Sequence, residues 1–386
     1  MDRRTRNYLA GRFGDYYRSA DPTLPPDASA REWGHIPWTS GSSTTMVRHQ
    51  SIYDLGDVAD FLQREAPRHV YFSAAHYDDP GAKSMDEKGW RGADLVFDLD
   101  ADHLPSVDPE TATYAEMLAV CKDALRRLLD LLETDFGFED VTVVFSGGRG
   151  YHVHVRDEGV ADLESPARRE IVDYVRAVDL DVEGLIRTRA VGGTTRRELR
   201  TRGGWGRRTH RRLQSFVDDL RAMDDDEASE RLMAFDGIGE GRASTLLDAF
   251  VDNPEAVERG NVEAGGPGAR TLVEALAHET ADSETAPIDE PVTTDTHRLI
   301  RLPGSLHGGS GLVVRRIDRD NLDDFDPLVD AVPERFTRRS VRVDVTAPGT
   351  VELDGDSFTL DAGEHSVPEC VGVFLMTRNR ARKVKE

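Results

Sequence analysis

Residues 95–102 read Leu-Val-Phe-Asp-Leu-Asp-Ala-Asp, and residues 143–155 read Val-Val-Phe-Ser-Gly-Gly-Arg-Gly-Tyr-His-Val-His-Val. Successive side chains of a strand point to opposite faces. Leu95, Phe97, Leu99 and Ala101 therefore share a core-facing side, and Val96, Asp98, Asp100 and Asp102 share the other. So apolar a face predicts a central strand rather than an edge. Two carboxylates two residues apart on one face repel unless a cation neutralises them, and hard oxygen ligands of this kind suit Mg²⁺ or Mn²⁺. Taken alone, Asp-x-Asp is equally compatible with a solvated polar face in an acidic protein.

The second stretch predicts a hairpin, with Val141–Ser146 and Tyr151–Val155 as strands and residues 147–150 as the turn. Its glycines permit positive φ and a close approach of backbone to an anion. Arg149 offers a two-pronged donor to phosphate oxygens. His152 and His154 share one face. A plain hairpin is the competing reading, but it has no need of Ser146, Arg149 and His152 at these intervals. A third stretch, residues 288–311, again combines acid, Arg, His and a glycine-rich turn: Asp289 could complete a metal site, and Arg301 and His307 could hold phosphate. An acidic linker followed by an ordinary strand and loop is the alternative there.

Working outward, residues 1–66 read as helices and loops, with an amphipathic helix over Arg6–Tyr17. Val47–Ile52 and Val70–Ala75 read as short strands. Thr113–Leu132 is the clearest helix, with an apolar stripe at Tyr114, Met117, Leu118, Cys121, Leu125, Leu128 and Leu132. Residues 165–285 read as helical, with glycine interruptions at 192–193, 203–206 and 265–268, and the acidic stretch His278–Pro287 reads as a linker. Val341–Val345, Thr350–Leu353, Ser357–Leu360 and Cys370–Leu375 alternate like a small β unit, and the basic tail Arg378–Glu386 is expected to fray. The fold class is α+β. Residues 1–164 and 286–340 form two parts of one core, 165–285 a helical insertion, and 341–386 the β unit with its tail.

Composition sets the chemistry in context. The 386 residues carry 49 Lys+Arg against 72 Asp+Glu, a formal net charge of −23. Only Lys83, Lys88, Lys122, Lys383 and Lys385 are lysines. An acidic, arginine-rich, lysine-poor chain is the composition of a protein adapted to molar salt. No apolar run approaches the length of a membrane span. No apolar segment follows Met1-Asp2-Arg3-Arg4, which predicts no signal peptide and a cytoplasmic location. Cys121 and Cys370 alone cannot make a disulfide framework or a four-cysteine metal site. Net charge by itself argues against a nucleic-acid ligand.

The motifs point the other way. Together the three stretches resemble the catalytic (small) subunit of archaeal-eukaryotic DNA primase: an Asp-x-Asp strand, then Ser-Gly-Gly-Arg-Gly-x-His, then a third Asp before Arg-Leu-Pro-x-Ser-Leu-His. Arg-Glu-Trp-Gly at 31–34, Val47-Arg48-His49 and the terminal β unit are also similar to archaeal members. The resemblance implies the primase catalytic core and template-directed nucleotidyl transfer with two Mg²⁺ or Mn²⁺ ions. Its products would be short RNA primers for replication, with DNA synthesis and a repair role as further capacities. It implies Asp98, Asp100 and Asp289 as metal ligands, with Asp295 competing for the role of Asp289. Ser146, Arg149, His152, Arg301, His307 and, less closely matched, Arg48 would bind the nucleoside triphosphate, and His154 has no assigned role. The implied partners are a primase large subunit in a heterodimer and a single-stranded DNA template, with no membrane. Many relatives carry a zinc knob between the first two motifs. Here residues 101–145 offer only His103 and Cys121, so no zinc is expected and Cys121 reads as a core thiol.

Two features stand outside that set. Residues 187–212 contain ten arginines and one acid, Glu198, with Trp205 among them. This reads either as a contact for single-stranded nucleic acid or as a basic segment paired to the protein's own acids. Residues 235–243, Phe-Asp-Gly-Ile-Gly-Glu-Gly-Arg-Ala, resemble a helix-hairpin-helix turn, or else an ordinary connection between helices. Competing classes are a repair-type primase-polymerase, a non-catalytic nucleic-acid-binding subunit and an Asp-x-Asp phosphohydrolase; the last leaves the glycine turn and the third stretch unexplained.

Overall fold

The computed structural model describes residues 1–39, 45–104, 107–108, 111–191 and 194–385. The expected glycine interruption at 192–193 lies outside them. The chain forms two compact units: Met1–Leu125, Glu139–Val172 and Pro287–Glu386 make one, and Arg126–Phe138 with Asp173–Ala286 make the other.

The first unit is built on two four-stranded antiparallel sheets. One runs in the order Arg315–Ile317, Val141–Phe145, Gly150–Val155, Leu95–Asp100. The predicted alternation holds, since Leu95, Phe97 and Leu99 are wholly buried, but the strand lies at the edge of the sheet and not, as its apolar face suggested, in the centre; the covering helix rather than a second neighbouring strand accounts for that face. The helix Tyr114–Leu131 lies over that apolar face, with the Cys121 thiol 3.5 Å from the Leu99 carbonyl. Its stripe residues Met117, Leu118, Cys121 and Leu125 are buried. Each aliphatic side chain sealed in this way contributes roughly 1.5–3 kcal/mol. The opposite face is left for Asp98, Asp100 and their neighbours.

The second sheet runs Leu299–Arg301, His69–Ser73, Trp33–Ile36, Val47–Gln50. Phe72 from this sheet stacks on His154 from the first, with ring centroids 6.1 Å apart. Buried Arg31 joins the two as well: its guanidinium grips the Asp94 carboxylate at 2.9 and 3.0 Å and donates to the Ser73 and Ala74 carbonyls. The Arg-Glu-Trp-Gly run is thus an internal brace rather than a surface motif.

The structure corrects several expectations. Cys370–Leu375 is not a strand but part of a helix, Glu369–Thr377, buried on every side. It packs on Ser340–Val345, which pairs with Gly363–Pro368 and Ala381–Lys383. The tail therefore does not fray: Ala381 and Lys383 are buried, and the Lys383 N–H donates to the Thr5 hydroxyl at 2.9 Å. Residues 1–66 hold, besides their helices and the expected strand at Val47–Gln50, a strand that was not expected, Trp33–Ile36. His278–Pro287 is mostly not linker, because the helix Gly266–Glu284 continues its buried stripe through Leu276, Ala277 and Thr280.

In the second unit, Leu213, Phe216, Val217 and Leu220 of the helix Gly204–Arg221 share a core with Leu272, Val273 and Leu276. The unit is not wholly helical. Ile186–Val191 and Thr194–Leu199 pair as an antiparallel ribbon. Residues 235–243 connect the helices Asp225–Met233 and Glu240–Leu246.

Candidate active site

Strand register sets the centre of the site. Asp98 stands opposite His152, and Asp100 opposite Gly150. Gly150 is obligatory here, because a Cβ at that position would fall 1.8 Å from the Leu99 carbonyl oxygen. His152 Nε2 lies 3.5 Å from Asp98 Oδ1. When the chain returns from the second unit it runs beside Leu95–Asp100, and the Asp289 N–H donates to the Asp98 carbonyl at 2.9 Å. Asp289 precedes the short helix Glu290–Thr294, yet its carboxylate makes no capping bond.

The electrostatics follow from that crowding. Burial raises the Asp98 carboxyl to about 7, the Asp100 and Asp289 carboxylates push in the same direction, and Arg301 and Arg298 oppose them. His152 is lowered to about 3, first by burial and then by Arg301 and Arg298, so its imidazole is neutral. A carboxyl held this far from its ordinary range by burial and by neighbouring carboxylates is a place where a divalent cation is electrostatically favoured. The oxygen donors fit such an ion in kind. They do not enclose a point: among the described residues no three His, Cys, Asp or Glu side chains have metal-binding spacing.

A cleft of about 350 Å³ opens beside Asp98 and His152, lined by Arg48, Tyr71, Asp295, Arg298 and Arg301. The Arg301 guanidinium lies 5.9 Å from the Tyr71 ring, its partner across the strand pair, and its Nε is buried without a hydrogen bond. Arg48 is held by Glu32, Nε to Oε1 at 3.1 Å. Asp295 turns its Oδ1 to the His297 N–H at 2.9 Å. Asp289 is therefore joined to the Asp98 strand, while Asp295 lies on the cleft wall.

The glycine turn packs against the third stretch. Gly147 has φ +76°, and a Cβ there would meet His307 Cβ at 2.6 Å. His307 is half-buried, its Nδ1 is 3.1 Å from the Ser310 hydroxyl, and its ring sits edge-on to His69 with centroids 5.0 Å apart. Burial, followed by the charges of Arg301 and others, holds His307 well below the usual imidazole range. The Ser146 hydroxyl accepts the Gly148 N–H at 3.3 Å. Arg149 pairs with Asp102 and comes within 4.0 Å of Asp100. Arg301 acts on Asp98, His152, His69 and His307 alike, so one guanidinium is common to the carboxylates and the histidines.

His154 is buried against Phe72 and serves packing. Sequence reasoning missed Arg298, Tyr71, His69 and Tyr114, whose hydroxyl donates to the Gly148 carbonyl at 2.5 Å. Arg298 had a signal, three residues before Arg301; Tyr71 and His69 depend on pairing between distant strands, and Tyr114 on where its helix meets the glycine turn.

Carboxylates on the outer strand of an antiparallel sheet, facing arginines and a glycine turn, define the class of nucleotidyltransferases. The comparisons narrow this. Residues 97–319 match the family model described as DNA primase small subunit. The chain is 68% identical over 386 residues, all of both chains, to the DNA primase small subunit PriS of Halorubrum lacusprofundi. It is 61% identical over 393 residues to that of Haloarcula marismortui, again over both chains entire. It is 39% identical over 393 residues to that of Methanococcoides burtonii, covering 99% of each. The chain belongs to the DNA primase small subunit family, and it is the catalytic, primer-making kind of nucleotidyltransferase. Primases of this family use divalent metal ions. The acidic, lysine-poor composition agrees with the haloarchaeal origin of the first two relatives.

Proposed function

We propose that this chain joins nucleoside triphosphates on a single-stranded DNA template at the Asp98 cleft, making short RNA primers, with deoxynucleotide extension and a repair role as further capacities. Asp98, Asp100 and Asp289 would hold Mg²⁺ or Mn²⁺. When bound, the ions supply a lowered pKa at the attacking 3′-hydroxyl and neutralise the pyrophosphate leaving group. Arg149, Arg301 and Arg48 bind and orient the triphosphate through charge-assisted hydrogen bonds. Neutral His152 has one N–H to give, and the acceptors that matter are Asp98 and an entering phosphate oxygen. Half-buried His307 and buried Ser146 fix the turn against which the phosphates rest. No step calls for zinc, and Cys121 stays a core thiol whose ionisation burial suppresses.

The observation that carries this reading is the Asp98 carboxyl, raised to about 7 between two further carboxylates and two arginines. A large subunit would complete the heterodimer that the name "small subunit" of the relatives implies. The test is metal-dependent incorporation of labelled nucleotides on a single-stranded template, with and without the large subunit. Template-independent incorporation, or incorporation that survives Asp98→Asn, would remove the proposal.

A further inference from the structure

The second unit carries an arginine cluster that the cleft does not use, and the structure divides it in two. On the helix Gly204–Arg221 the arginines are consumed internally. Arg208 is buried and binds Asp135 at 2.8 Å, Asp130 at 2.6 Å and Glu284 at 2.7 Å. Arg207 pairs with Asp135, Arg211 with Glu284 and Arg212 with Glu279. Trp205 is buried too, with its indole N–H on the Tyr174 carbonyl, so it is no stacking platform. For this half, the reading of a basic segment satisfied by the protein's own acids is the right one.

The ribbon is different. Arg189 and Arg196 stand directly opposite one another across its two strands, and both are exposed. Arg187 stands opposite Glu198 on the same face. That one carboxylate faces both Arg187, at 3.4 Å, and Arg189, at 3.9 Å. Arg196, Arg200 and Arg202 have no carboxylate within ion-pairing distance among the described residues, and all three are exposed. Arg196 lies on the strand Thr194–Leu199, and Arg200 and Arg202 follow directly after its end, so three positive charges gather on one short stretch of chain. Like charges directly opposed on a ribbon are destabilising. A chain with 72 acids could have neutralised this face as it did the helix, and it has not.

We propose that this ribbon face and the segment that leaves it bind the phosphodiester backbone of a single nucleic-acid strand, with Arg189, Arg196, Arg200 and Arg202 as the principal contacts. The proposal deepens the functional reading above, since a primase needs its template held outside the reacting cleft. Guanidinium forks suit phosphate oxygens and keep short-range hydrogen bonds where salt has removed long-range attraction. Without an aromatic platform, binding would be blind to sequence and steep in salt.

The test uses the full chain and measures anisotropy of labelled oligo-dT and oligo-U across a KCl series. Arg189, Arg196, Arg200 and Arg202 are changed together to Gln in one variant and to Lys in another. The Gln variant is expected to bind both oligonucleotides at least tenfold more weakly, with a log–log salt slope shallower by about 3, near 0.7 per phosphate contact. The Lys variant should keep most of that slope, and neither should melt far below the parent, because the buried Glu198 keeps Arg187 at 3.4 Å. Unchanged affinity and slope in the Gln variant would overturn the proposal. So would loss of large-subunit association with DNA binding intact, which would make the ribbon a protein interface. Asp98→Asn separates the two readings: it should abolish incorporation and leave oligonucleotide binding in place.

Discussion

Asp98 faces His152 across adjacent strands, Oδ1 to Nε2 at 3.5 Å, with the carboxyl raised to about 7 and the imidazole lowered to about 3. The pair therefore carries no net charge between about pH 3 and 7 and one negative charge above that. Between an ordinary Asp value near 4 and about 7, the folded chain holds a proton at Asp98 that the unfolded chain has released. Stability from this group accordingly falls as pH rises through that window. In EDTA and molar KCl, Asp98→Asn should melt progressively higher than the parent as pH rises from 5 to 8. Mn²⁺ should close the gap by stabilising the parent alone. A difference in melting temperature that does not change with pH would contradict this.

Asp289 and Asp295 are separable by experiment. Asp289 is bonded through its main chain to Asp98, whereas Asp295 is occupied with the His297 N–H. Asp289→Asn should lower nucleotide incorporation about 100-fold or more, as loss of a metal-holding carboxylate does. Asp295→Asn should cost less than about tenfold. Steady-state incorporation and Mn²⁺ titration on both variants decide the matter.

Lys88 is wholly buried, with Nζ 2.5 Å from the equally buried Glu32 carboxylate, which also holds Arg48. Lys88→Met alone leaves a buried charge short of its partner and should destabilise the chain by about 3–5 kcal/mol. The double variant Lys88→Met, Glu32→Leu removes both charges and should recover much of that stability. It also releases Arg48, so KM for the nucleotide should rise while stability returns. Denaturant titration and nucleotide kinetics on the single and double variants read out the two effects separately.

Gly150→Ala places a methyl group against the Leu99 carbonyl, where 1.8 Å is available. The strands must part at the level of Asp100, so the variant should lose at least about 1–3 kcal/mol. Incorporation should fall with it, even though no ionisable group has changed.

What could be read from the sequence followed its periodicity. The Asp98 strand, the Val141–Val155 hairpin and the Tyr114–Leu131 helix each bury one face, and a one-faced element shows its period in its residue types. Val371-Gly372-Val373-Phe374 misled because the helix it belongs to is buried all round and has no polar side to set the phase. The tail misled through its charge, since Lys383 is basic but lies inward beside Thr5. The helix arginines resisted reading because their carboxylates come from Asp130, Asp135, Glu279 and Glu284, some 70 residues away along the chain. The three motifs marked the residues of the cleft, but not that Asp289 would meet Asp98 through a backbone bond or that Arg301 would bear on four other ionisable groups.

That backbone bond also imposes an order in time. Asp98 and Asp289 lie on either side of the second unit, so a ribosome making roughly 5–20 residues per second exposes the later one about 10–40 s after the earlier. Until then the Leu95–Asp100 strand has a bare edge and the cleft lacks a wall. The first unit closes only when Ala381–Lys383 pairs beside Ser340–Val345, well after Asp289 in the chain. Nascent chains consequently expose this edge from the making of Asp98 to the making of Asp289, and no translation product interrupted before Asp289 contains the assembled carboxylate cleft.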